Sequence, residues 1–364
     1  MWFMILSILA ALMLALTVFL VTRFHRVSFV RALGERSRLL SWLAACAPVA
    51  CLGLFALINV STLAIVLMHL ALIWGLCALG AGILGKVRGR KVNYDRRALA
   101  AVLLTAVYLG VGWFMAHHVF ETHYTFHTGK DLGADRLRIV EIADAHLGIT
   151  LDGADFARQM ERVQAAEPDA VVLVGDFVDD DSSADDMREA CRALGSLHTR
   201  YGVYFCFGNH DEGYFNHRNF TAEALCEALE ANGVTILEDE SVPVGEHVTL
   251  IGRKDRSMRG RRAVGELTAG LDPARYTVLL DHQPNDYANE AVPPVDLVLS
   301  GHTHGGHIFP AGQIGLLTGA NDRRYGTERR GDTDFVVTSG ISGWAIPFKT
   351  GTWSEYVVID ILPE

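Results

Sequence analysis

Cysteine is scarce in this sequence, and the few residues present form no recognisable framework. Six cysteines occur among 364 residues, and three of them lie in long apolar stretches. A thiol in such a stretch behaves as a small apolar side chain. The other three, Cys191, Cys206 and Cys226, permit at most one internal disulfide, and none belongs to a C-x-x-C motif. The cysteines therefore give no metal motif and leave the redox compartment open.

Glycine-rich phosphate-binding motifs are absent as well. The sequence contains no G-x-x-x-x-G-K-[ST] motif, and no G-x-G-x-x-G pattern stands where a strand passes into a helix. We also find no internal repeat and no long low-complexity segment. The sequence therefore shows neither a P-loop nucleotide motif nor a dinucleotide-binding motif.

Acidic residues are nearly missing from the first third of the chain. Residues 1–119 carry 2 Asp and Glu against 11 Lys and Arg, whereas residues 120–364 carry 40 against 21. The formal charges are therefore +9 and −19, and the chain as a whole has −10. An acidic second part disfavours nonspecific binding to nucleic acid. We expect a small molecule or a lipid as partner, and no nucleic acid.

Charged residues are also missing from four long apolar stretches, each near the length that crosses a bilayer as a helix. These stretches cover residues 2–21, 39–58, 62–84 and 99–119. Basic residues are concentrated between the first two stretches and between the last two, which predicts that both loops are cytoplasmic. No charged residue precedes the first stretch, unlike the start of a cleavable signal peptide. We predict a multi-pass cell-membrane anchor of four helices over residues 1–119 and an extracytoplasmic domain over residues 120–364.

The apolar stretches themselves show little sign of a transport pathway. His69 is the readily ionisable side chain deep in a stretch, and a hydrogen bond to a neighbouring helix explains it as well as a function does. Small residues at 78, 81, 82 and 85 permit close helix packing. Anchoring is therefore the expected role, with contacts between copies in a homo-oligomer left open.

Five short segments of the second part are rich in metal-binding side chains. Each follows a short apolar run typical of a β-strand, at 137–142, 170–174, 203–207, 277–280 and 297–299. The segments are Asp144-Ala-His146, Gly175-Asp-Phe-Val-Asp179, Gly208-Asn-His-Asp211, Asp281-His282 and Gly301-His-Thr-His304. Strand side chains alternate between faces, so both members of D-x-H and of H-x-H can point to one side. Mixed oxygen and nitrogen ligands in this number suit two divalent ions held close together, and they predict hydrolysis of a phosphate ester or anhydride.

The remaining pattern predicts an α/β domain. Helical periodicity over residues 155–166, 184–197 and 221–231 alternates with the strands, and apolar runs at 335–338 and 356–361 complete a sheet. About 245 residues follow the last apolar stretch. That length suffices for one domain with its own core.

The order of the five segments resembles the calcineurin-like metallophosphoesterase family, whose hallmark is D-x-H, G-D-x-x-D, G-N-H-D/E, a lone His and G-H-x-H. The likeness covers residues 137–362, and all five blocks are present. Flanking residues such as Asp281-His-Gln-Pro284 are similar to a membrane-associated bacterial branch, some of whose members are implied to act on phospholipids or nucleotide-linked glycolipids. His307 departs from that branch, which frequently has Gln there. The resemblance implies a sandwich of two β-sheets flanked by helices.

Carried over residue by residue, the resemblance also implies a dinuclear metal centre. One ion would be held by Asp144, His146, Asp176 and His304. The other would be held by Asp176, Asn209, His282 and His302. Asp176 would bridge the two ions, since one carboxylate oxygen for each keeps both charges screened. Mn²⁺ is the expected metal, with Fe or Zn²⁺ as alternatives.

The same resemblance assigns the reaction. A water shared by the ions would ionise near neutral pH and attack phosphorus in line, while the metals offset charge on the phosphate oxygens. His210 would stabilise or protonate the leaving oxygen. Asp211 would orient His210 and keep it protonated.

Three functions stay open at this point. The leading one is a metal-dependent phosphohydrolase that cleaves a phosphodiester or pyrophosphate bond in a lipid-linked or envelope substrate. The second is a phosphomonoesterase or nucleotidase for soluble substrates, which would use the same ligands. The third is a noncatalytic membrane receptor that retains the metal site, although a binding domain has no need of a leaving-group acid such as His210.

Three further groups have two interpretations each. Asp179 begins an acidic run that suits a solvated loop before a helix, with a supporting role at the metal site as the alternative. The basic cluster between residues 253 and 262 either clamps an anionic phosphate or lipid head group or is a solvated loop. Trp344 and Phe348 suit ordinary packing better than contact with an acyl chain or a base.

Overall fold

The amino-terminal part of the chain is helical. In this computed structural model, which describes residues 2–214 and 218–364, the chain divides into one unit that ends at Val111 and another over Gly112–Glu364. The α-helices that precede the first β-strand are α1 (Trp2–Phe24), α2 (Ser28–Arg36), α3 (Arg38–Leu52), α4 (Val60–Arg88) and α5 (Tyr94–His117). The Asn59 side chain caps the start of α4, and Gly89 ends that helix in a left-handed conformation with φ of 64°.

Helices long and apolar enough to span a membrane lie over three of the four predicted stretches, and a bent pair of helices lies over part of the first. Arg38–Leu57, Val60–Arg88 and Tyr94–His117 each qualify as a span within the described residues. A fourth qualifies if Ala10–Phe24 and Ser28–Arg36, which are bent by 79°, count as one. The prediction of an apolar helical segment before the β-sheets of the second unit is confirmed at three to four helices. Within α4, His69 bonds the carbonyl oxygen of Ile65 in its own helix rather than a group on a neighbouring one.

Two mixed sheets form the centre of the second unit, each with six strands in the described part of the chain. The first sheet has the order β1 (Val119–Thr128), β12 (Ser354–Pro363), β2 (Leu137–Ile142), β3 (Ala170–Val174), β4 (Val203–Cys206) and β5 (Val234–Ile236). The second has the order β10 (Gly326–Arg330), β11 (Thr333–Val337), β9 (Val295–Ser300), β8 (Tyr276–Leu280), β7 (Val248–Gly252) and β6 (Glu240–Val244). The predicted sandwich is therefore confirmed.

The sheets are covered by helices on their outer faces. Against the first sheet pack α6 (Gly153–Ala165), α7 (Ala184–Gly195) and α8 (Ala222–Ala231), through side chains such as Phe156, Met187 and Leu225. Short helices α9 (Val264–Leu267) and α10 (Tyr287–Glu290) pack on the second sheet, and α11 (Ile314–Leu317) lies in a later loop. Between the sheets, Val172, Leu250 and Leu299 belong to one apolar cluster. Burial of this cluster stabilises the sandwich because apolar surface leaves water.

The thiols contribute to packing alone. Cys191, Cys206 and Cys226 are free, so the one disulfide that the cysteine count permits is not formed. Cys191 and Cys206 are buried, and burial raises the pKa of Cys191 to about 12. Such a thiol is protonated at neutral pH and unreactive.

Strand direction brings the ligand-bearing loops to one edge. Strands β2, β3 and β4 run parallel in the first sheet, and β8 and β9 run parallel in the second. Their carboxyl ends meet across the sandwich: His282 Nδ1 lies 2.8 Å from the Val174 carbonyl oxygen, and the His302 amide donates to Asp144 Oδ1 at 3.0 Å. The loops that carry all five motifs therefore lie together at one edge of the sandwich.

Candidate metal centre

Six of the seven predicted metal ligands fall into two groups. Asp144, His146 and His304 form one, and Asp176, His282 and His302 form the other. Within each group the ligand atoms lie within 4.8 Å of one another, and every member except the half-buried His302 is buried. Burial of so many ionisable groups is costly unless a cation compensates them.

Asp176 lies between the two groups. Its Oδ2 is 3.1 Å from His282 Nε2 in its own group and 3.5 Å from His146 Nε2 in the other. Burial works against ionisation, yet the neighbouring His282, His146 and His210 hold the pKa of Asp176 below its ordinary value. One charged oxygen thus faces ligands of both groups, which is the geometry of a bridging carboxylate.

Orphaned polar atoms mark where cations fit. Asp144 Oδ2 and Asn209 Oδ1 are buried without a hydrogen-bond partner in the described residues. The Asn209 amide nitrogen donates to the Tyr214 hydroxyl at 3.0 Å, which leaves Oδ1 available as the seventh ligand. An unpaired buried acceptor costs about 1–3 kcal/mol. Carboxylate, amide and imidazole donors in this number fit two divalent ions, so these residues form a dinuclear divalent metal site.

The ligand histidines are oriented through their other ring nitrogen. His282 Nδ1 bonds the Val174 carbonyl, and His304 Nδ1 lies 3.3 Å from the Ser342 carbonyl oxygen. His304 Nε2 and His146 Nε2 consequently converge to 3.2 Å. Contacts of this kind select the tautomer and leave Nε2 for the metal.

Asp179 has the supporting role rather than the solvated one. Only 2% of its surface is exposed, and its Oδ2 lies 3.1 Å from His146 Nδ1. Its backbone amide donates to the Ser182 hydroxyl, which in turn bonds the Leu147 carbonyl. The solvated-loop interpretation is therefore wrong for Asp179, whose carboxylate orients a metal ligand.

Replacing Asp179 by Asn is expected to lower the affinity for the ion at His146 by roughly 10–100-fold, because the imidazole loses its charged partner. Titration calorimetry of metal-stripped protein with Mn²⁺ measures the change. The matched control is Asp185→Asn, whose side chain is 99% exposed on the first turn of α7. Equal Mn²⁺ affinity in the two variants would contradict the assignment.

Asp211 differs from its predicted role. Its carboxylate accepts hydrogen bonds from the backbone amides of Asp176, Phe177, Val178 and Gly208 at 2.7–3.1 Å. Both oxygens are therefore used by the backbone, which corrects the expectation that Asp211 orients the His210 ring. Asp211 instead fixes the loop that carries Asp176.

His210 flanks the metal ligands. Its backbone amide donates to Asp176 Oδ1 at 2.8 Å, and its ring centroid lies 5.0 Å from that of His146 and 5.1 Å from that of Trp344. Burial lowers the pKa of His210. The ring therefore borders the ligand groups, and the nearby Asp176 and Asp179 raise its pKa by less than burial lowers it, whereas the sequence predicted a carboxylate that keeps it charged.

Glycines leave the space that the ligand carboxylates occupy. A Cβ on Gly208 would lie 2.2 Å from Asp176 Oδ1, and a Cβ on Gly301 would lie 2.7 Å from Asp144 Oδ2. Gly340, on another loop, has a φ of 76°, and a Cβ added there would lie 2.6 Å from the Cβ of the same aspartate. The close approach of backbone to carboxylate thus requires glycine at these positions.

The ligand residues themselves have unusual backbone geometry. Asp144, His146, Asp176, His302 and His304 have φ values of 54°, 36°, 52°, 68° and 46°. This left-handed region is unfavourable for residues with a Cβ, and each such conformation costs about 1–3 kcal/mol. Strain of this kind concentrates at functional sites, and here it coincides with five of the seven ligands.

Much of the basic cluster is used in ion pairs. Arg253, which is 5% exposed, contacts Asp281, Asp286 and Glu290 at 2.8–3.2 Å, and Arg261 also contacts Asp281. The phosphate-clamp and solvated-loop interpretations are both wrong for Arg253. The network instead holds the end of β8, directly before His282.

The exposed members of the cluster remain available. Lys254 lies 3.6 Å from Glu238, and Arg262 lies 4.0 Å from Glu266. Arg256 and Arg259 are exposed and have no ion pair among the described residues. Within the basic cluster, these two arginines are therefore the residues that are free to contact an anionic group.

The two aromatic residues with open interpretations, Trp344 and Phe348, differ in their exposure. Phe348 is 5% exposed and packs, whereas Trp344 is 43% exposed with its ring 6.3 Å from that of His146. Trp344 thus forms part of the site's rim.

Lys349 was not predicted at all: it is buried, and its Nζ donates to the carbonyls of Ser339 and Gly340 at 2.6 and 3.1 Å. A single lysine between an apolar run and a Thr-Gly-Thr segment carries no sequence signal for such a role.

Comparison with known proteins agrees with this geometry. The calcineurin-like phosphoesterase family matches residues 137–306. A Bos taurus protein named transmembrane protein with metallophosphoesterase domain is 33% identical over 237 residues, covering 60% of this chain and 51% of its own. A Helicobacter pylori protein named uncharacterized metallophosphoesterase is 31% identical over 235 residues, covering 63% and 60%. This chain thus spans about half to three fifths of the length of these relatives. The solved structure of a dimetal phosphatase from Danio rerio is 11% identical, covers 56% of this chain and 87% of that one, and has a TM-score of 0.30.

Proposed function

We propose that this chain, whose residues 137–306 match the calcineurin-like phosphoesterase family, hydrolyses a phosphodiester or pyrophosphate bond in a lipid-linked or envelope substrate. The observation that carries the proposal is the position of Asp176 Oδ2, 3.1 Å and 3.5 Å from imidazoles of two separate ligand groups. Mn²⁺ is the proposed metal.

The seven ligands would hold two ions, and Asp176 would be a ligand of both. Bound ions at this place lower the pKa of water and offset negative charge on the phosphate oxygens. His210 borders the ligands and is placed to donate a hydrogen bond to the leaving oxygen, while Asp211 keeps the Asp176 loop fixed. In the hydrolysis, a water oxygen forms the new bond to phosphorus, the bond to the leaving oxygen breaks, and a proton ends on that oxygen.

The substrate class is inferred from what surrounds the ligands. Trp344 offers an exposed aromatic surface beside His210, and such a surface suits an acyl chain or a base. Apolar spanning helices in the same chain hold the domain at a membrane, which raises the local concentration of amphiphilic substrates. Both observations favour a lipid-linked phosphodiester or pyrophosphate over a small soluble monoester.

The test is hydrolysis of a matched panel by the full chain in detergent. The protein is stripped with a chelator, Mn²⁺ is added back, and kcat/KM is measured for a phosphomonoester, a phosphodiester and a lipid pyrophosphate. We expect Mn²⁺-dependent hydrolysis with the diester or the lipid pyrophosphate preferred. A preference for the monoester would replace the proposal by a phosphomonoesterase, and no hydrolysis of any substrate would refute both.

We further propose that the catalytic domain lies on the extracytoplasmic side. The support is the concentration of basic residues in segments 23–38 and 86–97, around the ends of the apolar helices, which suits a cytoplasmic position for both segments. A reporter enzyme that is active only outside the cytoplasm, fused after Glu364, is expected to be active. Activity of a cytoplasmic reporter alone would place the domain on the other side.

A further inference from the structure

An uncharged loop with exposed apolar side chains adjoins the metal site. Between His307 and Asp322, fourteen consecutive residues carry no charge, and we call residues 308–321 the apolar loop. Leu317 is 84% exposed, Ile314 59% and Phe309 52%. Large apolar side chains grouped this way on a surface mark an interaction site.

The base of the apolar loop is fixed to a second segment of the domain. The Phe309 amide donates to Thr350 Oγ1 at 3.0 Å, and the amides of Thr350 and Gly351 both donate to the His307 carbonyl at 2.9 Å. Within the loop, the Gly312 amide returns to the Ile308 carbonyl at 3.0 Å. The loop is therefore held in place beside residues 349–351.

That second segment packs along the carboxyl end of α5. The Lys349 amide donates to the Gly112 carbonyl at 2.8 Å, and Ser354 Oγ donates to the Ala116 carbonyl at 2.9 Å. Helix α5 has the length and composition of a membrane span, and β1 begins at Val119, directly after it. The base of the apolar loop is thus tied to the carboxyl end of a helix that qualifies as a membrane span.

Aromatic side chains mark the membrane surface at this point. Trp113 and Phe114 are 52% and 48% exposed on the last turns of α5, and Trp353 is 37% exposed with its ring 6.4 Å from that of Phe120. Tryptophan is enriched where a protein passes through the boundary between lipid and water. Trp353 lies three residues after Thr350, the partner of Phe309, so the loop lies close to this boundary.

We propose that the apolar loop inserts into the bilayer that the chain's own helices span. Ile314 and Leu317 would lie among the upper acyl groups, and the absence of charge over the loop removes the main penalty for insertion. The loop follows His302, His304 and His307 directly, so insertion would place the metal site at the level of lipid head groups. This consequence for the substrate rests on the proposed function, whereas the insertion itself does not.

Depth measurement tests the insertion without any substrate. An environment-sensitive fluorescent amino acid is placed at Leu317 in the full chain, reconstituted in phosphatidylcholine vesicles that contain lipids with nitroxides at shallow acyl positions. The matched control carries the same probe at Glu230, which is exposed on α8. We expect lipid nitroxides to quench the probe at 317 at least several-fold more than the probe at 230. Equal quenching of both by aqueous iodide, or quenching at 317 that rises with protein density rather than with nitroxide lipid, would overturn the proposal.

A paired kinetic measurement separates this inference from the proposed function. The double variant Ile314→Asp and Leu317→Asp is expected to lose roughly tenfold or more in hydrolysis of a lipid-embedded phosphodiester and to keep its rate on a soluble aryl phosphodiester. Equal effects on both substrates would contradict a role in lipid access. If the unmodified chain hydrolyses neither substrate, the proposed function fails, and the depth measurement still decides the insertion.

Discussion

Replacing Asp176 by Asn is expected to remove both metal ions and to lower kcat/KM by about 10³-fold or more. A single oxygen, Oδ2, approaches His282 Nε2 at 3.1 Å and His146 Nε2 at 3.5 Å, so its charge serves both ligand groups. The amide keeps the size of the side chain and an oxygen that can accept from the His210 amide. The loss is therefore expected to be electrostatic rather than a loss of fold.

Metal content by elemental mass spectrometry, measured together with kcat/KM, checks this result. The informative comparison is His302→Ala, which removes a ligand of one group only and is expected to leave the ion at Asp144, His146 and His304 bound. Asp176→Asn protein that retains two ions, with activity within about tenfold of the unmodified chain, would show that Asp176 is not shared.

Adding one methyl group at Gly208 is the second change with a large expected effect. The new Cβ of Gly208→Ala would lie 2.2 Å from Asp176 Oδ1 and 2.3 Å from the Asp176 amide nitrogen. Neither atom can move freely, because Oδ1 accepts from the His210 amide and the Asp176 amide donates to Asp211. We expect kcat/KM to fall about 10²-fold or more, since a small displacement of a catalytic group has effects of that size.

The free energy of unfolding of the same variant should fall by about 1–3 kcal/mol, the usual cost of overpacking a filled site. The matched control is Gly265→Ala in α9, where a Cβ meets nothing within 4 Å. Its kcat/KM and its chemical denaturation midpoint are expected to stay close to those of the unmodified chain. Gly208→Ala protein that behaves like this control would contradict the close approach at Asp176.

The convergence of the predicted metal ligands could be expected from the sequence because they stand at strand ends. An apolar run followed by Asp, His or Asn indicates both the strand and its end, and parallel strands bring such ends to one edge. Strand β1 illustrates the opposite case: Val119–Thr128 alternates half-buried and exposed residues between two buried ends and is rich in polar side chains, so no apolar run marked it. Its place in the sheet comes from parallel pairing with β12, far away in the sequence.

The partners of polar side chains were less predictable than the ligands. Asp211 follows His210 in the sequence, yet it bonds the amides of the β3 loop instead of its neighbour's ring. Arg253 belongs to a basic run that suits a surface loop, but three carboxylates from later segments surround it. Such partners depend on how separate loops fold back on one another, which spacing along the chain does not reveal.

The left-handed backbone of the ligand residues has a consequence for how the ions are acquired. These conformations are held by hydrogen bonds within the protein, such as those from the Asp144 amide to the Gly175 carbonyl and from the His146 amide to the Asp176 carbonyl. The pocket is thus preorganised, and its conformational cost is met during folding rather than at the arrival of a cation. Uptake of metal should then be a filling of ready positions with little rearrangement, and stripped protein should regain its ions without refolding.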